Sequence, residues 1–208
     1  MPTTDHGAGV SRRGVVLAAL TLAAAAAIPR AGRAAGEVDR AQALVTSLSE
    51  TLIGLLRSGR SQGQLIGDFE ALLARYGDMP VVAASVLGPP WRSASPAQKS
   101  AFVTAFQAYL ARKYGGQFRD YTDANITLVR ARDAGKSGVL VETSVTRPGR
   151  DPYQVEWQVS ERGGSPKVVN LIIEGVSMLT NERAEVGAML EASGGSIDKL
   201  TARMRAAA

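Results

Sequence analysis

Glu142 and Glu156 fall in consecutive alternating segments, so a hairpin joining these would set two carboxylates side by side, as a general acid/base pair requires. Both alternate with Thr, Ser and Gln, and that pattern instead puts them on a solvated sheet face. Asp120 and Asp123 flank a helix-to-strand junction, where carboxylates shape turns and caps more readily than they hold a metal. Arg112, Lys113 and Arg119 gather near the end of a long helix. Cations there complement the helix dipole, with an anionic headgroup or membrane surface as the alternative partner. Gly163-Gly164 precedes a strand, so no helix N-terminus follows to hold a phosphate. The chain has no cysteine, and its one histidine is His6.

The elements that must position these groups follow a leader. Ser11-Arg12-Arg13-Gly14-Val15-Val16-Leu17 opens an uncharged run from Val15 to Ile28, followed by Pro29, Arg30, Arg33 and the small residues Ala34, Ala35 and Gly36. The run is shorter than the roughly 20 apolar residues of a membrane span. A basic start, a short apolar run and a small-residue tail make a secretory signal peptide, here of twin-arginine type. Residues 1–35 are therefore expected to be removed near Ala34, and residues 36–208 to work in the periplasm as one domain. The formal charge drops from +5 to +2 on cleavage, because residues 1–36 carry four arginines and one aspartate. The basic balance thus belongs to the leader and gives no argument for nucleic acid. His6 leaves with it. Without imidazole or thiol, Ser-His-Asp triads, Cys-His pairs and ordinary zinc sites are excluded, and no disulfide can staple the fold.

Glu37 to Ser58 reads as an amphipathic helix, with Val38, Ala41, Val45, Leu48, Leu52 and Leu55 at three- and four-residue steps. Further helices are expected from Gln62 to Tyr76, from Pro80 to Leu87, and from a capping box at Ser95-Pro96-Ala97-Gln98 through Phe102, Phe106, Tyr109 and Leu110 to Gly115. Gly88-Pro89-Pro90 should break the chain between the last two. The period then changes to two. Ile126, Leu128 and Arg130, then Val139 to Val145, Tyr153 to Val159 and Val169 to Ile173, alternate with polar neighbours across three short turns. Two helices close the chain, about Thr180–Ala192 and one carrying Ile197, Leu200 and Met204. The expected class is α+β: a four-stranded antiparallel sheet with one face covered by N- and C-terminal helices. Trp91, Phe102, Phe106, Tyr109, Trp157, Val141, Val145 and Ile173 would converge between sheet and helices, in an ordinary core or around a cleft.

The block Leu87-Gly88-Pro89-Pro90-Trp91-Arg92-Ser93-Ala94-Ser95-Pro96-Ala97-Gln98, running on through Phe102, Phe106 and Tyr114 to Phe118 and Tyr121, resembles the MlaC family of periplasmic lipid carriers, also called toluene-tolerance proteins. The likeness continues through Tyr153 to Trp157, Glu174-Gly175-Val176-Ser177-Met178 and Arg183. It implies a cystatin/NTF2-like sheet with helices and a shuttle for glycerophospholipid. The implied partners are an inner-membrane ABC transporter complex with an MCE-domain protein and an outer-membrane lipoprotein complex, with outer-membrane asymmetry as the outcome. A hopanoid-associated branch shares the motifs. The implied lipid-binding residues are Val82, Val86, Leu87, Trp91, Phe102, Phe106, Tyr109, Val141, Val145, Trp157, Leu171, Ile173 and Val176, with no cofactor, metal or catalytic residue. The physics suits the role: at about 0.8 kcal/mol per methylene, exposing two long acyl chains to water costs on the order of 20 kcal/mol. An NTF2-like enzyme acting on a small hydrophobic substrate is the rival, and it needs a carboxylate or tyrosine directed into the cleft.

Overall fold

The computed structural model describes residues 30–206, so the expected leader up to Pro29, with its arginine pair and apolar run, lies outside the described residues. Seven helices occur among them: α1 (Arg30–Leu56), α2 (Gln62–Tyr76), α3 (Met79–Leu87), α4 (Pro90–Ser93), α5 (Pro96–Gly115), α6 (Met178–Ala192) and α7 (Ile197–Ala206). A 3-10 turn at Phe118–Tyr121 leads from α5 into the sheet. The strands are β1 (Asn125–Asp133), β2 (Val139–Arg147), β3 (Arg150–Ser160), β4 (Lys167–Ile173) and β5 (Val176–Ser177).

Local chemistry sets the helix starts. Ser95 accepts from the Gln98 amide while Gln98 returns a bond to the cap amide, the expected capping box. Ser61 and Gln64 repeat the device at the start of α2. The Asp78 side chain caps α3. Where the two prolines were expected only to break the chain, their fixed φ opens the single turn α4, which carries Trp91.

The sheet has five strands in the order β1-β2-β3-β4-β5, all antiparallel, where four were expected. The fifth was missed because two residues are too few to show alternation. A turn at Glu174 and Gly175, both at positive φ (49° and 78°), folds it onto β4 and pairs Ile173 with Val176.

On the inner face, cross-strand neighbours run Val141–Trp157–Leu171 and Thr143–Val155–Ile173, with Val145 opposite Tyr153. The Trp157 indole donates to the Thr143 hydroxyl (2.9 Å), which donates to the Val155 carbonyl (3.1 Å), so the polar atoms of this face are satisfied.

The outer face differs from expectation. Glu142 and Glu156 are register partners, but Glu142 is buried at 6% exposure, not solvated. Arg130 pairs with Glu142 (2.6 Å) and Arg132 with Glu156 (3.0 Å), offsetting the repulsion between directly opposed carboxylates. A bulge between Leu128 and Arg130 makes this possible. Strict alternation would have put Arg130 on the face of Ile126 and Leu128. The extra residue, Val129, turns it to the other side.

Two apolar clusters result. The sheet-side cluster joins α1 and α2 to the inner face through Val45, Leu48, Leu72, Tyr76, Val141, Val145 and Trp157. The helical cluster joins α3, α5, α6 and α7 through Met79, Val86, Phe102, Phe106, Val186, Leu200 and Met204.

Candidate functional site: an apolar cavity between two cores

Between the two clusters lies a cavity of about 340 Å³, within the roughly 300–1,000 Å³ of sites that enclose small organic ligands. Its wall draws on both clusters. The sheet contributes Ile126, Val145, Tyr153, Val155, Trp157, Val168, Leu171 and Ile173. Opposite stand Leu48, Leu52 and Leu56 of α1, Phe69, Leu72 and Leu73 of α2, and Met79 and Val82 of α3. Phe106, Leu110 and Tyr114 of α5 and Met178 and Leu179 of α6 complete the helical side. Phe118, from the 3-10 turn, meets Phe69 edge-to-face with ring centroids 4.7 Å apart. Tyr76 adds its ring to the wall, while its hydroxyl is tied to α1, 3.0 Å from that of Ser47 and 3.2 Å from that of Thr51.

Of the expected site residues, Val82, Phe106, Val145, Trp157, Leu171 and Ile173 line this cavity. Val141 shares the face of Val145 but is fully buried in the solid part of the sheet-side cluster. Val86, Leu87 and Phe102 are buried in the helical cluster, where neighbouring helices fill the space a ligand would need. Trp91 packs on that cluster beneath the Lys99 ammonium (5.6 Å), and Tyr109 turns its hydroxyl to Glu185. Val176 is 52% exposed on β5. These seven are outside the wall. The wall residues of α1 and α2 were legible only as core stripes, because the same spacing serves a filled core and a cavity lining.

Among the described residues, Glu182 is the only charged side chain in the wall. Its position, facing the interior from the first turns of α6, follows from the cap that Ser177 provides. Lys113 donates to it at 2.7 Å and the Tyr114 hydroxyl donates to the same oxygen, while Oε2 is buried without a partner among the described residues. Lys113 also bridges to Glu185, which accepts from Tyr109. Burial alone would lower the Lys113 ammonium, but the bonds to Glu182 and Glu185 outweigh it and hold it above the usual lysine range. Burial, then the bond to Glu185, pushes Tyr109 up to about 12; burial, then Glu182, raises Tyr114 further. The Glu185 carboxyl lies below its ordinary range because of Lys113 and then Tyr109. Glu182 is thus tied to α5 through one carboxylate oxygen, and the rest of the wall offers a ligand mainly apolar contact. No group of three or more metal-ligating side chains gathers among the described residues, and no described helix is long and apolar enough to cross a membrane.

The fold resembles a phospholipid-binding protein from Ralstonia solanacearum, solved in complex with a phospholipid. The TM-score is 0.67 at 18% identity, over 80% of this chain and 96% of that one. In sequence, the chain is 27% identical over 108 residues to the toluene tolerance protein ttg2D of Pseudomonas putida. That match takes in 52% of this chain and spans about half the length of the relative. The family described as MlaC protein matches residues 46–206, which include every helix and strand from the later part of α1 onward. The chain belongs to the MlaC family.

Proposed function

We propose that this protein is a periplasmic lipid carrier. It would hold the acyl chains of a glycerophospholipid in the cavity between the two cores and pass the lipid between an inner-membrane ABC complex bearing MCE domains and an outer-membrane lipoprotein complex. The carrying observation is the cavity itself: about 340 Å³, walled by Val145, Trp157, Leu171, Ile173, Phe106 and their apolar neighbours, in a member of this family. An empty apolar space of that size costs stability, since its lining lacks contact partners. Acyl methylenes supply those partners. Catalysis has no part in this reading: among the described residues the wall holds one carboxylate, Glu182, and it is paired with Lys113. Residues 36–208 act as one domain, with the leader removed near Ala34, which trims the start of α1.

The test is mass spectrometry of organic extracts from protein purified without detergent. Diacyl glycerophospholipid at near-stoichiometric yield is expected, and its loss in Val145→Trp. A polycyclic triterpenoid in its place would reassign the cargo to the hopanoid branch, and extracts free of lipid would overturn the carrier reading. Export is tested separately. Lysines in place of Arg12 and Arg13 should abolish periplasmic delivery, and undiminished delivery would remove the twin-arginine route.

A further inference from the structure

The apolar cavity adjoins a polar basin of about 600 Å³, and Gln117, Tyr121 and Tyr153 belong to the walls of both. The remaining walls of the basin are Asp120, Arg147, Arg150 and Asp151. The β2–β3 turn builds one side. Gly149 at φ 68° closes a two-residue loop after Pro148, so Arg147 and Arg150 are register partners. Two guanidiniums across a hairpin repel, and Arg147 is held in place by other contacts. Its Nε donates to Asp123 (3.0 Å), Nη2 donates to the Asp120 carbonyl, and the guanidinium lies 4.6 Å from the centre of the Tyr121 ring. By contrast, Arg150, Asp151 and the Asp120 carboxylate form no ion pair among the described residues. A basin on the border of a greasy cavity thus carries charges of both signs that have no ion-pair partner among the described residues.

Resting on the lipid-carrier reading, we infer that this basin receives a zwitterionic headgroup, its phosphate taken by Arg150 and Arg147 and its ammonium by Asp151 and Asp120. A guanidinium offers a phosphate a two-point donor fork. The two carboxylates give an ammonium its counter-charge, and they repel a headgroup that is only anionic. With Arg147 already paired to Asp123, Arg150 stands beside Asp120 and Asp151, and the basin has no positive field to draw in anions at large. It discriminates at contact, after the tails have entered. Tyr121 and Tyr153, shared by both spaces, suit the glycerol level, since each presents an apolar ring and a polar tip.

The test loads lipid-stripped protein from vesicles holding equal amounts of tail-matched phosphatidylethanolamine, phosphatidylglycerol and diacylglycerol, then reads the bound ratio by mass spectrometry. The unmodified protein should enrich phosphatidylethanolamine over both others. Arg150→Gln should lower both phospholipids relative to diacylglycerol by about threefold, the scale of an exposed charge pair, and Arg150→Lys should restore part of the loss. The double change Asp120→Asn and Asp151→Asn should raise phosphatidylglycerol relative to phosphatidylethanolamine by about threefold. Arg150 and Asp151 are exposed, so these variants keep the fold. Ratios unmoved by every variant, or phosphatidylglycerol enriched by the unmodified protein, would overturn the headgroup assignment while leaving the carrier reading intact. Uptake of none of the three lipids by the unmodified protein would overturn both.

Discussion

Val141 and Val145 sit four residues apart on the same face of β2, both buried, yet they belong to different kinds of interior. Val141 is enclosed by Trp157 across the strand and by the packed sheet-side core; Val145 faces the cavity. A similar contrast runs through the two clusters, although both contribute to the wall. In the helical cluster the Phe102 and Phe106 rings stack at 5.8 Å between centroids, and Leu200 and Met204 are fully buried beside them. On the sheet side, Trp157, Val155 and Leu72 have lost water without being met by side chains all round. Exclusion from solvent and dense packing are thus separate properties, and only the second resists a ligand.

The sharpest way to break this contrast is a deletion in the filled region. Phe102→Ala should cost about 3–5 kcal/mol, read as a lower denaturant midpoint, because the surrounding helices cannot collapse onto the space. A loss under about 1 kcal/mol would mean that the helical cluster also has slack. Next is the polar anchor on the cavity wall. Lys113→Met should cost about 2–3 kcal/mol, somewhat below the loss for a fully buried pair because the lysine is 29% exposed, as it strands the buried Glu182 carboxylate.

The two valines give the direct comparison. Val141→Trp should lose roughly 1–3 kcal/mol by overpacking. Val145→Trp, entering open space, should stay within about 1 kcal/mol of the unmodified protein while losing bound lipid. Equal losses in both would erase the distinction between wall and core.

The smallest effect is in pH. Glu185 is held below its ordinary value, so its contribution is complete above that ordinary value and disappears as the pH falls through the depressed one. Lys113, Tyr109 and Tyr114 are raised, so theirs is complete below about pH 10 and fades above it, through about 12 for Tyr109. Thermal midpoints measured from pH 3 to 11 should show a plateau with two falling limbs, and Glu185→Gln should soften both, because the same carboxylate raises Lys113 and Tyr109.

Periodicity carried most of the fold. The stripe of Val45, Leu48 and Leu52 and the alternation from Val139 to Val159 are visible because each repeats often enough to define a face. Where a single residue changes the geometry, that signal fails. The bulge at Val129 shifts Arg130 to the outer face, and a two-residue strand follows a turn of only Glu174 and Gly175. The cavity was half legible for a related reason. Spacing tells which way Phe106 and Phe102 point relative to their helix, but whether the space opposite is occupied depends on where α6 and α7 settle, which is a non-local matter. The Lys113–Glu182 pair joins residues 69 positions apart, and nothing local announces it.

The same bulge has a second consequence, for how copies of this protein meet one another. β1 is a free edge of the sheet, and a regular edge strand offers its unpaired backbone as a template for a neighbour's. Leu128 and Val129 are exposed there at 37% and 51% and would be the sticky part of such a seam. The irregularity interrupts the hydrogen-bonding rhythm at those two residues, and Arg130, Arg132 and Asp133 follow directly. The far edge is closed by the very short β5 and, further along β4, by the chain at Gly77 bridging to Val168. Strand-to-strand stacking is thus disfavoured at both edges of the sheet, even when the interior is only partly filled.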